Sequence, residues 1–102
     1  MVTEVQGMEE IKSGDVLLDF YTPFCGPCKR LNPVWDEISE DFPKLKVAKI
    51  EVTQNQAMSH QFGIMSVPTV IYMRDSQVKE IAHGFTGRDA LRSMVKKHLD
   101  EE

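Results

Sequence analysis

Two cysteines, Cys25 and Cys28, stand three positions apart in the run Phe24-Cys25-Gly26-Pro27-Cys28-Lys29. Three residues is close to one helical turn, and in a helix such a pair comes within about 5–6 Å at Cβ. A disulfide usually joins Cα atoms about 4.4–6.8 Å apart, so the spacing suits one. The apolar run Val16-Leu17-Leu18-Asp19-Phe20-Tyr21 precedes the pair, and a helical pattern of Leu31, Val34, Trp35, Ile38 and Phe42 follows it. A strand, a turn and a cysteine opening a helix are the setting in which Cys-x-x-Cys reads as a dithiol redox centre. The attacking species in thiol–disulfide exchange is a thiolate. Cys25 falls at the helix start, where unpaired N–H groups and the positive end of the dipole favour an anion. Cys28, one turn further in, can attack a mixed disulfide formed at Cys25. The competing reading is half of a zinc site. Zinc takes four ligands, whereas His60, His83 and His98 show no His-x₃₋₅-His spacing and there is no second cysteine pair. No metal and no bound organic cofactor are expected, since the dithiol itself carries two electrons.

Other residues bear on this chemistry. Pro27 fits the first turn of a helix because no N–H is needed there, and it stiffens the segment between the cysteines. Asp19 is an acid in an otherwise apolar strand, and a buried carboxylate is costly unless it is paired or its pKa rises. It is therefore a functional candidate, with capping of a backbone group as the alternative. Lys29 and Arg30 read either as a solvated face or as cations that support the thiolate and steer acidic partners. Trp35 falls in the i, i+3, i+4, i+7 stripe and reads as core. Met65 is a candidate groove residue.

The elements that must position these groups can be read along the chain. Residues 3–6 form a short edge strand, and residues 8–12 a short helix ended by Ser13-Gly14. Residues 16–21 are nearly all apolar, as in a strand covered on both faces. Residues 26–41 form a helix kinked at Pro33, which removes a backbone donor and crowds the preceding turn. Residues 45–52 alternate as a strand. Asn55 caps a helix through Phe62, with Gly63 at its C′ position. Residues 69–73 and 77–82 form a hairpin across Arg74-Asp75-Ser76. Thr86-Gly87-Arg88-Asp89 resembles a capping box, and the last helix buries Leu91, Met94, Val95 and Leu99. The order β-α-β-α-β-α-β-β-α implies an α/β fold with a mixed sheet of four to five strands, an antiparallel edge, and about four helices on its two faces.

At 102 residues the chain, residues 1–102, is expected to be one domain with a modest core. Hydrophobic residues make up 41% and charged residues 27%, which disfavours disorder. The net charge is −4 and there is no long basic run, so nucleic-acid binding lacks electrostatic support. No apolar stretch approaches the roughly 20 residues of a membrane span, and no signal peptide is recognised at the N-terminus. A cytoplasmic location is expected, where a lone cysteine pair is more often catalytic or metal-binding than structural.

Over about residues 7–99 the chain resembles the thioredoxin family. The resemblance centres on Cys25-Gly26-Pro27-Cys28-Lys29, with Leu17-Leu18-Asp19-Phe20 upstream. Val47-Ala48-Lys49 is similar to the strand that supplies a lysine near the buried aspartate. Gly63-Ile64-Met65-Ser66-Val67-Pro68-Thr69 is similar to the segment holding a cis-proline, and His83-Gly84 to the glycine beside the active centre. The family's usual tryptophan before the first cysteine is Phe24 here, a second is often found where this chain has Tyr21, and Thr22-Pro23 also differ. The resemblance implies a thioredoxin fold and a protein-disulfide reductase in which Cys25 attacks and Cys28 resolves. It implies that Asp19 accepts or relays the Cys28 proton, with Lys49 as its charge partner. It also implies a cis Val67–Pro68 bond and a substrate groove of Phe24, Gly26, Pro27, Val67, Pro68 and Gly84. The implied partners are disulfide-containing client proteins and an electron donor of the thioredoxin-reductase type, with the chain acting as a monomer. Two alternatives remain at this stage: a disulfide oxidase or isomerase on the same fold, and a binding module whose cysteines are incidental. Reduction potential separates the first from a reductase. A variant lacking both thiols separates the second, because a binding module keeps its activity.

Overall fold

Apolar side chains fill both alternating sets of positions between Val16 and Phe20, which suits a strand buried on both faces. In the computed structural model, which describes residues 2–100, this segment is the central strand of a five-stranded sheet. The strands are β1 (Val2–Glu4), β2 (Asp15–Tyr21), β3 (Lys46–Glu51), β4 (Thr69–Arg74) and β5 (Gln77–His83), in the spatial order β1-β3-β2-β4-β5. Both β1 and β2 run parallel to β3, whereas β4 is antiparallel to β2 and to β5. The mixed sheet and its antiparallel edge are as expected. The expected domain boundaries include residues 1, 101 and 102, which lie outside the described residues.

The helix expected over residues 26–41 is found as α1 (Gly26–Arg30) and α2 (Asn32–Asp41), separated at Leu31. Pro33 has no N–H to give the Lys29 carbonyl, and its ring crowds that oxygen, so the ladder breaks just before the proline. The Leu31 N–H turns to the Cys28 carbonyl at 3.1 Å, and Trp35 resumes the pattern by donating to the Leu31 carbonyl at 3.0 Å. With α3 (Gln56–Gln61) and α4 (Arg88–Leu99), three helical bodies flank the sheet rather than about four. The helix expected over residues 8–12 is a 3₁₀ turn of Met8–Ile11, ended before Gly14, which takes a φ of +74°.

Two expected caps are not made. Asn55 stands at the α3 N-cap, but its side chain turns back to the Glu51 carbonyl at 2.9 Å. Glu51 instead accepts the Gln54 N–H at 2.8 Å, closing the short turn before α3. Gly87 is the α4 N-cap, and no side chain caps that end; Asp89 pairs with Arg88 at 2.8 Å. In α4, Leu91, Met94 and Val95 are buried as expected, while Leu99 is only partly buried and His98 is buried in addition.

The sheet separates two apolar layers. On one side Leu17, Val47, Val70 and Tyr72 pack with Leu31, Trp35 and Ile38 and with Leu91 and Val95 of α4. On the other, Val16, Leu18, Phe20, Ile50 and Ile71 pack with Ile11 and Met58. Asp19 lies on β2 two residues beyond Leu17, so it faces the α2 and α4 layer. At the far end of that layer Asp15 accepts two Arg74 nitrogens, at 2.8 and 2.9 Å, and the Tyr72 hydroxyl at 2.6 Å. Arg74 also donates to the His98 carbonyl, and His98 meets Glu80 at 2.7 Å, which ties the end of α4 to the sheet.

The hairpin loop is Asp75-Ser76, with φ of 49° and 71°, the two-residue turn that suits twisted strands. Its anchoring explains the unusual pair of residues: Asp75 accepts the Gly14 N–H at 2.8 Å, and the Ser76 hydroxyl donates to the Lys12 carbonyl at 2.9 Å.

Candidate active site: a disulfide at the start of a helix

β2 delivers the chain to a turn whose last residue, Cys25, is the N-cap of α1. Cys25 and Cys28 are joined in a disulfide with Cα atoms 5.2 Å apart. The Cys28 N–H donates to Cys25 Sγ at 3.2 Å, so the sulfur occupies the place of a capping oxygen. Cys25 is half-buried and Cys28 is 2% exposed, which gives the two sulfurs different access to large partners. Pro27 lies in the first turn of α1 as expected. Because α1 is only five residues long, Lys29 and Arg30 fall in its last turn, where the dipole favours cations.

Asp19 is fully buried, and neither carboxylate oxygen has a hydrogen-bond partner among the described residues. Burial pushes its carboxyl up to about 7, against the opposing effects of the Lys49 ammonium and the Trp35 indole. Trp35 Nε1 favours the charged form without closing a hydrogen bond of ordinary geometry. Lys49 is the parallel-strand register partner of Asp19 across β2 and β3. Its ammonium donates to Asn32 Oδ1 at 2.6 Å and sits 4.3 Å from the centre of the Tyr21 ring. The Tyr21 hydroxyl in turn donates to Glu4. Tyr21, Thr22, Pro23, Cys28, Lys29, Asn32 and Lys49 line an open cleft of about 190 Å³. Cys28 and Lys49 therefore line the same cleft.

Three further segments complete the surface. Phe24 and Met65 are about nine-tenths exposed, and Phe85 is half exposed. The Val67–Pro68 peptide bond is cis, as the resemblance implied. The Gly84 N–H donates to the Pro68 carbonyl at 2.9 Å, fastening these two loops together. Gly84 takes a φ of +77°, the left-handed region open to glycine, and a Cβ there would meet open space rather than the chain itself. The Arg30 guanidinium lies 5.4 Å from the Phe85 ring centre, which brings the Gly84 loop alongside α1.

Of Cys25, Cys28, Asp19 and Lys49, the structure joins the two cysteines and pairs Asp19 with Lys49 in strand register. Asn32, Glu4 and the contact of Tyr21 with Lys49 are additions of the fold. For Asn32 a signal was present: it lies four residues after Cys28, hence on the same helical side. Glu4 had none, because which β1 residue meets Tyr21 depends on strand register. Among the described residues no cluster of three or more His, Cys, Asp or Glu side chains is arranged to hold a metal, and no helix is long and apolar enough to cross a membrane.

A cysteine pair closed as a disulfide at a helix start, in an α/β sheet of this order that also buries an acid, defines a thiol–disulfide exchange protein. The thioredoxin family model matches residues 2–97, and the chain belongs to the thioredoxin family. It is 43% identical over 91 residues to a thioredoxin of Bacillus subtilis, covering 88% of each chain. It is 39% identical over 85 residues to a thioredoxin of Haemophilus influenzae, covering 82% of this chain and 79% of the other. A mutant thioredoxin from Halobacterium salinarum superposes with a TM-score of 0.92 at 33% identity, covering 99% of this chain and 93% of its own.

Proposed function

We propose that this chain is a protein-disulfide reductase that works through Cys25 and Cys28. The observation that carries this reading is the pairing of a capped, accessible Cys25 with a buried Cys28 one helical turn away. In the reduced chain the Cys25 thiolate attacks a client disulfide, forms a mixed disulfide and expels one client thiolate. Cys28 then gives up its proton, attacks Cys25 Sγ and expels the second client sulfur. The client gains two electrons and the chain is left as the disulfide seen here. Asp19 is the acceptor for the Cys28 proton, and a carboxyl poised near neutrality suits a general base at physiological pH. An electron donor of the thioredoxin-reductase type restores the dithiol, the chain working as a cytoplasmic monomer.

Phe24, Met65, Val67, Pro68 and Gly84, with Gly26 and Pro27, form the client groove in this reading. An extended client segment can add to free backbone there, as in strand addition. A side chain at Gly84 would project outward into the client's space, since no described residue lies within reach of a Cβ there, and at a φ of +77° it would also strain the backbone. The Gly84→Val variant is therefore expected to reduce a protein disulfide about tenfold more slowly, equivalent to about 1.4 kcal/mol of lost docking. Reduction of a small neutral aromatic disulfide should stay within about twofold of wild type by the same measure. Equal slowing of both substrates would remove Gly84 from the groove.

The reading as a whole is tested by the reduction of a disulfide-bonded protein in the presence of dithiothreitol. The wild-type chain should accelerate thiol release, and the chain with Ser at both cysteine positions should not.

A further inference from the structure

The Lys49 ammonium is held from two sides. Asn32 Oδ1 accepts one of its protons at 2.6 Å, and the Tyr21 ring lies beneath it at 4.3 Å. Tyr21 is itself fixed at its other end by its hydroxyl bond to Glu4. A free lysine side chain keeps its head in water and loses much rotamer freedom when ordered. This one is instead fixed in the cleft that Cys28 also lines, next in register to a carboxylate with no hydrogen bond among the described residues. Building on the reading above, we propose that Asn32, with the Tyr21 ring anchored by Glu4, is a positioning device. It holds the Lys49 charge beside Asp19, so that the acid can be ionised when Cys28 must give up its proton.

Each contact has a distinct consequence. Asn32 is exposed and belongs to the first turn of α2, so its amide can be removed without opening the core. Tyr21 supplies both a ring face for the cation and a hydroxyl for Glu4, which a purely apolar ring could not do. The charged or titratable groups facing this site are Glu4 from β1, Tyr21 from β2, Lys49 and Glu51 from β3, and Cys28 and Lys29 from α1. Lys49 favours the Asp19 carboxylate and Glu4 opposes it. Glu4 thus does two things: it repels the carboxylate weakly, and it holds the ring on which the opposing cation rests.

The test reads Asp19 directly, by following its side-chain ¹³C carboxyl shift against pH in the oxidised chain, where neither cysteine titrates. Lys49→Met should raise the Asp19 midpoint by about one pH unit, the size of effect expected for losing a nearby opposite charge. Asn32→Ala should raise it in the same direction by roughly half as much, because the freed ammonium moves out to solvent. In the Lys49→Met background Asn32→Ala should add nothing, and Asn32→Asp, which keeps an oxygen acceptor, should keep Lys49 in place. The pH profile of the Cys28 resolving step should move with the midpoint. An Asn32→Ala midpoint that is unchanged or lowered, or one that still rises when Lys49 is already gone, would overturn the proposal. A wild-type chain that titrates as described yet reduces no protein disulfide would overturn the functional reading and leave the tether standing.

Discussion

Replacing Asp19 by Asn is expected to stabilise the fold at alkaline pH and to lose that advantage in acid. The unfolded chain ionises this carboxyl near 3.8, whereas burial in the α2 and α4 layer raises it to about 7. Between these values the folded state binds more protons than the unfolded one, so stability falls as pH rises through the interval. The sign follows from a raised carboxyl: the full stability is present below the unfolded value, and the penalty is complete above the folded one. At 1.36 kcal/mol per pH unit, a gap of about three units amounts to about 4 kcal/mol. Denaturant unfolding of both forms should therefore show Asp19→Asn more stable by several kcal/mol at pH 8.5, with the difference nearly gone at pH 4. A difference independent of pH would mean that Asp19 is ionised in the fold at both. In the same variant the resolving step should slow near neutral pH, so that stability rises while exchange falls.

The second large effect concerns the division of labour between the thiols. Cys25→Ser should drop protein-disulfide reduction to the uncatalysed background, because no thiolate remains at the accessible position. Cys28→Ser should instead accumulate a covalent mixed disulfide with the client, since Cys25 can attack but nothing resolves the product. In the reduced wild-type chain, an alkylating agent near neutral pH should label Cys25 first, because Cys28 is only 2% exposed. Mass spectrometry of briefly alkylated protein checks this, and faster labelling of Cys28 would reverse the roles.

Much of this arrangement was legible in the residues. The run from Val16 to Phe20 is nearly all apolar, so its place at the centre of the sheet follows from burial on both faces. Asp19 stood out there because an acid in such a strand needs a reason. The cysteine spacing announced one helical turn, and Cys25 does cap α1. Local chemistry was less readable where two groups compete for one role. Asn55 is a good capping residue, yet its amide is drawn to the Glu51 carbonyl while Glu51 caps the short turn beside it. Asp89 stands three positions from Thr86 in a capping pattern, yet Gly87 is the N-cap and Asp89 pairs with Arg88. Pro33 marked a kink, but the break falls at Leu31, because a proline disturbs the turn before it rather than its own position. The tether on Lys49 was out of reach because it joins Glu4, Tyr21, Asn32 and Lys49 from four elements whose register only the fold sets.

The measurement that bears most directly on the central claim is the reduction potential of the Cys25–Cys28 couple, by equilibration with glutathione or dithiothreitol. A reductase of this family should lie near −270 mV, which is thioredoxin's own benchmark value, so that electrons flow from Cys25 and Cys28 to client disulfides. A potential near −180 mV, typical of an isomerase, or near −120 mV, typical of a strong oxidant, would contradict the account, because electrons would then flow toward this chain.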